Sequence, residues 1–177
     1  MNGHYIRESH IERIYQMCLE YLWDNDAISE TFMRESGSAL KRMIQSVQSS
    51  LKTIADVGDQ ITYFLGEVHS YDPVGVAKHL NDRSLPILEE AMQVLEETVV
   101  FNEMTLEERF RAEAVTRGRK FADYVHPMRL AITGRTVSPN LFELIEILGK
   151  GRCLVRLKRF VLLIKAASGN APVDPVT

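Results

Sequence analysis

Apolar residues recur along most of the chain at steps of three and four, a spacing that places them on one face of an α-helix. The clearest segment covers residues 7–23. No run of β-branched residues is long enough for a parallel sheet. The sequence therefore predicts an all-α fold, a helical cage or bundle in two subdomains. The other predicted helices cover residues 29–35, 40–56, 58–65, 72–80, 83–101, 105–117, 139–148 and 150–165, with one more that begins near Pro127.

Several helix boundaries are predicted from capping chemistry. Thr105 and Glu108 have the spacing of a capping box, and Ser138 followed by Pro139 is typical of a helix start. Gly149 and Gly151 can supply the positive φ that ends one helix before the next begins. We place a domain boundary near residue 102, which gives an N-terminal helical subdomain (1–102), a basic subdomain (103–165) and a frayed tail (166–177).

Composition and length fit a small globular protein of the cytoplasm. The chain has 177 residues, of which 45% are hydrophobic, and it lacks both a secretory signal and an apolar run of membrane-spanning length. Cys18 and Cys153 lie on apolar helix stripes, so we expect two buried thiols rather than a disulfide. Neither the cysteines nor the five histidines have metal-site spacing, and no catalytic acid or base is evident.

Charge is distributed unevenly along the chain. Residues 109–165 hold 13 basic and 4 acidic residues, a balance of +9, while the remainder holds 8 basic and 20 acidic residues, a balance of −12. The C-terminal part is therefore predicted to be a cationic module that attracts phosphate. Arg152, Arg156 and Arg159 fall at steps of four and three, which would align them along one side of a helix. The alternative is a solvated helix face without a ligand.

An ordered series of motifs resembles the C-terminal, tRNA-binding region of bacterial glutamyl-tRNA synthetase. It consists of the stretch 127–135, Pro-Met-Arg-Leu-Ala-Ile-Thr-Gly-Arg, then 138–143, Ser-Pro-Asn-Leu-Phe-Glu, then 148–150, Leu-Gly-Lys, and Arg156-Leu157. Residues 2–7, Asn-Gly-His-Tyr-Ile-Arg, are similar to the segment that follows the catalytic domain in that family. The resemblance implies an anticodon-binding helical region, as in class I synthetases.

The resemblance also implies roles for individual residues. Those that would contact the anticodon are Arg129, Ser138, Pro139, Leu141, Phe142 and His126. The candidates for tRNA backbone contacts are Arg135, Lys150, Arg152, Arg156 and Arg159.

Each of these residues has a structural alternative. Leu141 and Phe142 could be core residues, although adjacent helix positions are not expected to point inward equally well. Ser138 could be only a helix cap, and Arg129 could pair with Glu143 or Glu146. His126 could be an ordinary surface histidine.

One position departs from the family pattern. Some members carry an arginine that discriminates the third anticodon base, in a helix that we expect to end near Asp56. Here that neighbourhood reads Gln-Ser-Val-Gln at 45–48, with Val47 as the expected equivalent. The hypothesis that follows is a parent enzyme that accepts both tRNA(Glu) and tRNA(Gln).

The family's His-Ile-Gly-His and Lys-Met-Ser-Lys-Ser signatures are absent from the sequence. We therefore expect no catalysis and no cofactor in this chain, ATP and Mg²⁺ belonging to a separate catalytic domain. Expected partners are tRNA(Glu) and that catalytic domain, and neither DNA nor a membrane. Two alternatives remain open: a protein-interaction or scaffold module with a solvated basic face, and a standalone tRNA-binding protein.

Overall fold

The computed structural model describes residues 3–169, which form eleven α-helices and no β-strand. The all-α prediction is confirmed. One 3-10 turn, Gln48–Ser50, follows the third helix. The helices are α1 (Gly3–Glu8), α2 (Ile11–Asp24), α3 (Glu30–Val47), α4 (Asp56–Gln60), α5 (Thr62–Leu65), α6 (Pro73–His79), α7 (Ser84–Glu97), α8 (Glu103–Thr116), α9 (Phe121–Thr133), α10 (Leu141–Leu148) and α11 (Lys150–Ala167).

The chain divides into two compact units, an N-terminal unit (Met1–Glu67) and a C-terminal unit (Val68–Thr177). The sequence predicted a boundary near residue 102 instead. The difference arises because α7 packs against α8, α9 and α11, so the helices just before residue 102 complete the core of the C-terminal unit. The tail was predicted to begin at residue 166, but α11 continues to Ala167. Residues 170–177 lie outside the described residues.

In the N-terminal unit, the helix predicted for residues 7–23 is interrupted. His10 precedes α2, and its Nδ1 accepts a hydrogen bond of 3.4 Å from the N–H of Glu12. The side-chain amide of Gln48 donates to the carbonyls of Ile6 and Ser9, at 2.8 Å each. These carbonyls lie at the end of α1, where no helical N–H follows to bind them.

Helix α3 joins two segments that were predicted as separate helices. It runs through Gly37 and ends at Val47, not near Asp56. Asp56 instead caps the turn before α4, because its carboxylate accepts hydrogen bonds of 2.9 Å from the N–H groups of Lys52 and Thr53. The buried face of α3 consists of Leu40, Met43, Ile44 and Val47.

In the C-terminal unit, α7, the buried face of α11 and the aromatic residues of α8, α9 and α10 form the core. The ring of Phe110 lies 5.7 Å from that of Tyr124 and 5.5 Å from that of Phe142, measured between centroids. On the inward face of α7, Leu88, Ala91 and Leu95 are fully buried.

Two predicted helix starts in this unit are wrong. Asn102 caps α8 by accepting a hydrogen bond of 2.9 Å from the N–H of Thr105, so Thr105 is capped and forms no capping box with Glu108. Helix α9 begins at Phe121, so Pro127 lies inside the helix, where its missing N–H leaves out one backbone hydrogen bond. Gly149 ends α10 with φ of 83°, as predicted, whereas Gly151 lies within α11.

Both cysteines are buried free thiols, as predicted, and burial raises the pKa of each to about 12. None of the helices between residues 3 and 169 has the length and apolar character needed to cross a lipid bilayer.

Two glycines allow a close approach between the segment before α6 and the end of α9. Gly134 has φ of 75°, and a Cβ there would lie 2.4 Å from the carbonyl oxygen of Ser70. Its own carbonyl accepts a hydrogen bond of 2.7 Å from the N–H of Asp72. At Gly75, a Cβ would lie 2.7 Å from Leu130. A side chain at Gly134 would force the two segments apart, because it meets backbone, whereas at Gly75 the ends of the Leu130 and Thr136 side chains would have to shift.

A part-buried polar network joins α7 to α9. The guanidinium of Arg119 donates two hydrogen bonds to the carboxylate of Glu90, at 2.9 and 3.0 Å, and the hydroxyl of Tyr124 donates a third at 2.6 Å. Burial tends to raise the pKa of Glu90, but these bonds outweigh it and leave the pKa below its usual value. Burial and the bond to Glu90 raise the pKa of Tyr124.

We expect Gly134→Ala to destabilise the protein far more than Gly118→Ala. Gly118 also has positive φ, 62°, but a Cβ there meets nothing within 4 Å. In the control, Gly118→Ala, the free energy of unfolding should fall only by the cost of an alanine in the left-handed region, about 1 kcal/mol. Gly134→Ala adds a clash with backbone and should lose about 3 kcal/mol or more. Urea denaturation measures both, and equal losses would contradict the close approach at Ser70.

We expect Glu90→Gln to lower the free energy of unfolding at neutral pH by about 1–3 kcal/mol. A lowered carboxyl pKa stabilises the fold above the pKa of the unfolded chain, and this stability is lost as the pH falls through the folded value. The free energy of unfolding of the variant should therefore depend less on pH below about pH 5. Glu96→Gln is the control, because Glu96 is an exposed partner of Lys158 at 3.5 Å and should lose less than about 0.5 kcal/mol.

Candidate nucleic-acid interface

The turn between α9 and α10, residues 134–140, contains three of the sequence-predicted site residues. It is held by side chains from both ends. Thr133 Oγ1 donates to the Arg129 carbonyl at 2.7 Å and accepts from the N–H of Arg135 at 3.0 Å. The hydroxyl of Thr136 donates to the carboxylate of Asp72 at 2.8 Å. That bond, together with one from the N–H of Val74, lowers the pKa of Asp72 and keeps it ionised.

Arg129 binds the far side of the same turn. One guanidinium nitrogen donates to the carbonyl of Ser138 at 3.0 Å and to the carbonyl of Pro139 at 2.7 Å, and it also contacts the Ser138 hydroxyl. The guanidinium therefore supplies hydrogen bonds to carbonyl groups that have no helical N–H partner. Pro127 does not start the helix, so Arg129 and His126 lie within α9. The prediction that they lie at a helix N-terminus is wrong.

Ser138 does not cap α10, so this prediction is wrong. The cap is Asn140, whose Oδ1 accepts a hydrogen bond of 2.9 Å from the N–H of Phe142. The helix begins at Leu141, and Pro139 lies before it. Asn140 also donates 2.8 Å to the carboxylate of Glu103. The residue type indicated this role, since asparagine directly before an apolar run is a strong N-cap.

Leu141 and Phe142 both lie in the core, with exposed fractions of 2% and 3%. The expectation that adjacent residues would not both point inward is wrong, because α10 is buried on more than one side. The Phe142 ring stacks on that of Phe121, 5.6 Å away, and contacts Phe110. These two residues anchor the start of α10, while Val137 in the turn is 81% exposed.

The predicted line of cations on α11 is only partly exposed. Arg152 and Arg159 face solvent. Arg156 is only 2% exposed, and its guanidinium donates a hydrogen bond of 2.8 Å to the carbonyl of Ile132 at the end of α9. The predicted exposed position of Arg156 is therefore wrong. Its location follows from α11 packing against α9, which brings a cation to the negative end of the α9 dipole.

Lys150 is engaged in the same way at the end of α7. Its ammonium donates to the carbonyls of Glu96 and Thr98, at 3.1 and 2.6 Å. It also lies 5.5 Å from the centre of the Phe101 ring. Arg135 is half-buried in the turn.

Ion pairs with α7 neutralise much of the predicted cationic module. Glutamates along this helix accept from cations of α8, α11 and the segment before α9. Counted over the whole C-terminal unit, residues 68–177 hold 15 basic and 14 acidic residues, a balance of +1. The module is therefore nearly neutral as a unit, because its acidic partners precede residue 109 in sequence. The pairs are Arg109–Glu97, Arg119–Glu90, Lys158–Glu96 and Lys165–Glu89.

The remaining predicted positions lie elsewhere. His126 is exposed on α9 and stacks on His79, with ring centroids 6.2 Å apart. Its neighbour could not be predicted, because no pattern in the sequence links the two histidines. Val47 is fully buried at the end of α3 in the N-terminal unit. Among the described residues, no group of three or more His, Cys, Asp or Glu could hold a metal ion.

Curated proteins similar to this chain are named glutamate–tRNA ligases. A glutamate–tRNA ligase of Moorella thermoacetica is 34% identical over 160 residues, which are 90% of this chain and 33% of the relative. Glutamate–tRNA ligase 1 of Caldanaerobacter subterraneus is 34% identical over 166 residues, 93% of this chain and 34% of the relative. The chain thus spans about a third of the length of these curated relatives.

Solved structures share the fold. A glutamate tRNA ligase from Elizabethkingia meningosepticum, in complex with its amino acid, superposes with a TM-score of 0.78 at 17% identity, over 90% of this chain and 30% of that one. The glutamate–tRNA synthetase of Elizabethkingia anophelis gives 0.74 at 18% identity, with the same coverage. A family model described as an anticodon binding domain matches residues 13–161, which is most of the sequence, and the chain therefore belongs to the anticodon-binding domain family.

Proposed function

We propose that this chain is the anticodon-binding region of a glutamate–tRNA ligase and binds the anticodon arm of tRNA(Glu). The observation that carries the proposal is the family match over residues 13–161. The curated relatives, which are named glutamate–tRNA ligases and align over nine-tenths of the chain, support the choice of tRNA. The resemblance of the 127–150 motifs to that family's anticodon-binding region supports the choice of site.

The turn 134–140 is the proposed reading element. It is fixed by Arg129, Thr133 and Thr136, so its outward groups are held in place before RNA arrives. Preorganisation of this kind reduces the entropy lost on binding. Unpaired anticodon bases can stack on aliphatic surface and bond to backbone groups. Val137 offers the surface, and the Ser138 carbonyl, which already accepts from Arg129, has a second lone pair for a base N–H.

The predicted site residues take different parts in this proposal. Ser138 and Pro139 contact bases directly. Arg129 acts chiefly by positioning the turn, since its guanidinium already binds two carbonyls there. Leu141 and Phe142 act from beneath, by anchoring the start of α10 in the core. His126 contributes from the exposed face of α9, three residues before Arg129.

Backbone contacts fall to the cations that reach solvent. Arg152 and Arg159 are the exposed members of the α11 series, and Arg135 lies in the turn itself. Arg156 and Lys150 support them indirectly, by stabilising the ends of α9 and α7. Since the unit as a whole is nearly neutral, attraction to RNA depends on where these cations lie rather than on net charge.

This region itself performs no chemistry in our proposal. Aminoacylation, with ATP and Mg²⁺, belongs to a catalytic domain of the same enzyme, and this chain supplies recognition. DNA and membranes are not partners in this scheme. Because Val47 occupies the expected third-base position, the proposal extends to tRNA(Gln) as a second ligand.

The first experiment titrates the protein with a glutamate anticodon stem-loop and with one altered at all three anticodon bases. We expect the correct loop to bind at least about tenfold more tightly, because lost base contacts cost on the order of 1–3 kcal/mol each. Equal affinities that vary only with salt would contradict base recognition and favour a general cationic face.

Arg129 variants separate positioning from charge. Arg129→Ala should reduce the preference for the correct loop about tenfold, because the turn loses its clamp on the Ser138 and Pro139 carbonyls. Arg129→Lys keeps the charge, but its ammonium ends one bond short of the guanidinium nitrogen that binds the turn, so it should behave like the alanine variant. If the lysine variant retains the full preference, Arg129 acts by charge and the positioning role is wrong.

The exposed cations of α11 should respond differently. Arg152→Ala and Arg159→Ala are each expected to weaken both loops equally and to reduce the slope of log affinity against log salt by about 1. The same titrations at several salt concentrations measure this. A change in base preference would contradict a backbone role for these residues.

Specificity at the third anticodon base is tested by comparing glutamate and glutamine stem-loops. We expect the two affinities to agree within about threefold, since no charged fork is present at Val47 to hold one base edge. A tenfold or greater preference for the glutamate loop would remove tRNA(Gln) from the proposal.

A further inference from the structure

A small cleft on the C-terminal unit contains several groups that can carry positive charge. It lies between the end of α6, the start of α7 and the first half of α9, and has a volume of about 210 Å³. His79 and His126 face each other in it, with nearly parallel rings inclined by 15° and centroids 6.2 Å apart. Lys78 and Arg83 also line the cleft, as does the side chain of Asn81.

The acidic groups near the cleft have other partners. Asp123 lines it from α9, but its carboxylate accepts a hydrogen bond of 2.9 Å from the N–H of Lys120. Asp82, in the segment before α7, accepts from the hydroxyl of Ser168. The residues that α7 itself contributes, Ser84 and Ile87, carry no charge. Among the described residues, the lining therefore holds two permanent cations, two imidazoles and one carboxylate.

We propose that this cleft binds a phosphodiester group of the RNA through His79 and His126, and that His79 takes up a proton as it binds. The inference rests on the proposed function and adds to it a backbone contact with pH dependence. His126 is placed three residues before Arg129 on α9, so a phosphate in the cleft would lie on the same helix as the clamp of the reading turn.

The proton uptake follows from the electrostatics of the empty cleft. Two imidazolium ions this close repel each other, and Lys78 adds to that repulsion. Burial, His126 and Lys78 together lower the pKa of His79, so its ring is mainly neutral in the free protein at neutral pH. A bound phosphate reverses this balance, because an anion at the N–H edges of the two rings favours the charged form of His79 and accepts hydrogen bonds from both imidazoles.

Linkage then fixes the direction of the pH effect. If binding raises a histidine pKa, the complex holds more protons than the free protein, and affinity increases as the pH falls. A rise of one unit in one histidine pKa gives roughly a fivefold gain in affinity between about pH 8 and about pH 6. The phosphodiester and the bases do not themselves titrate in this interval, so the effect reports on the protein.

The test measures the affinity of the protein for the glutamate anticodon stem-loop at about pH 8 and about pH 6, at constant salt. The wild type should gain at least roughly fivefold at the lower pH. The variant His79→Gln should lose most of this gain, while binding at about pH 8 falls much less. His69→Gln is the control, because His69 is an exposed histidine of the same unit outside the cleft, and it should keep the full gain.

The outcomes separate this inference from the function on which it rests. If the loop binds but His79→Gln keeps the wild-type pH dependence, the cleft inference is overturned and the proposed function stands. If no stem-loop binds at either pH, both are overturned. Inorganic phosphate, followed through the histidine ring signals by NMR, distinguishes an RNA contact from a general anion site. If phosphate alone raised the pKa of His79 as much as the stem-loop does, the assignment to RNA would be overturned.

Discussion

Carbonyl groups at the ends of helices impose the constraint on which the C-terminal unit depends. Two of its helices, α7 and α9, end near other helices, and in each case a cation binds carbonyls that the helix leaves without a partner. Arg156 does so for α9 and Lys150 for α7, while Arg129 binds the two carbonyls that precede α10. A buried carbonyl without a donor would cost on the order of 1–3 kcal/mol, so these side chains are committed to the fold.

The same principle explains the distribution of charge. Glutamates spaced along α7 would repel one another if α7 were alone, but cations of the neighbouring helices lie beside them. Exposed pairs of this kind contribute little stability, whereas the part-buried group around Glu90 fixes how α7 meets α9. The cations proposed to meet a ligand are therefore those that face solvent, Arg152 and Arg159, together with a turn whose shape is already set.

Much of the fold could be predicted from the sequence, because apolar periodicity reports directly on which helix faces are buried. The helix type was right throughout, and Gly149 ended α10 as expected. The predicted helix boundaries were wrong where a residue type is compatible with two local positions. Asn140 rather than Ser138 caps α10, and Pro127 lies within α9. The exposure of single residues failed for a different reason. Arg156 has the same spacing as Arg152 and Arg159, and only the position of α9 makes it buried. The pairing of His79 with His126 is likewise a product of tertiary packing.

The clamp on the reading turn has an evolutionary consequence. Arg129 binds the backbone carbonyls of Ser138 and Pro139, and every amino acid supplies such a carbonyl. The side chain at position 137 can therefore be exchanged while the turn keeps its geometry. A lineage could alter which nucleotides this surface prefers by single substitutions at the turn, without first acquiring compensating changes in the helices beneath.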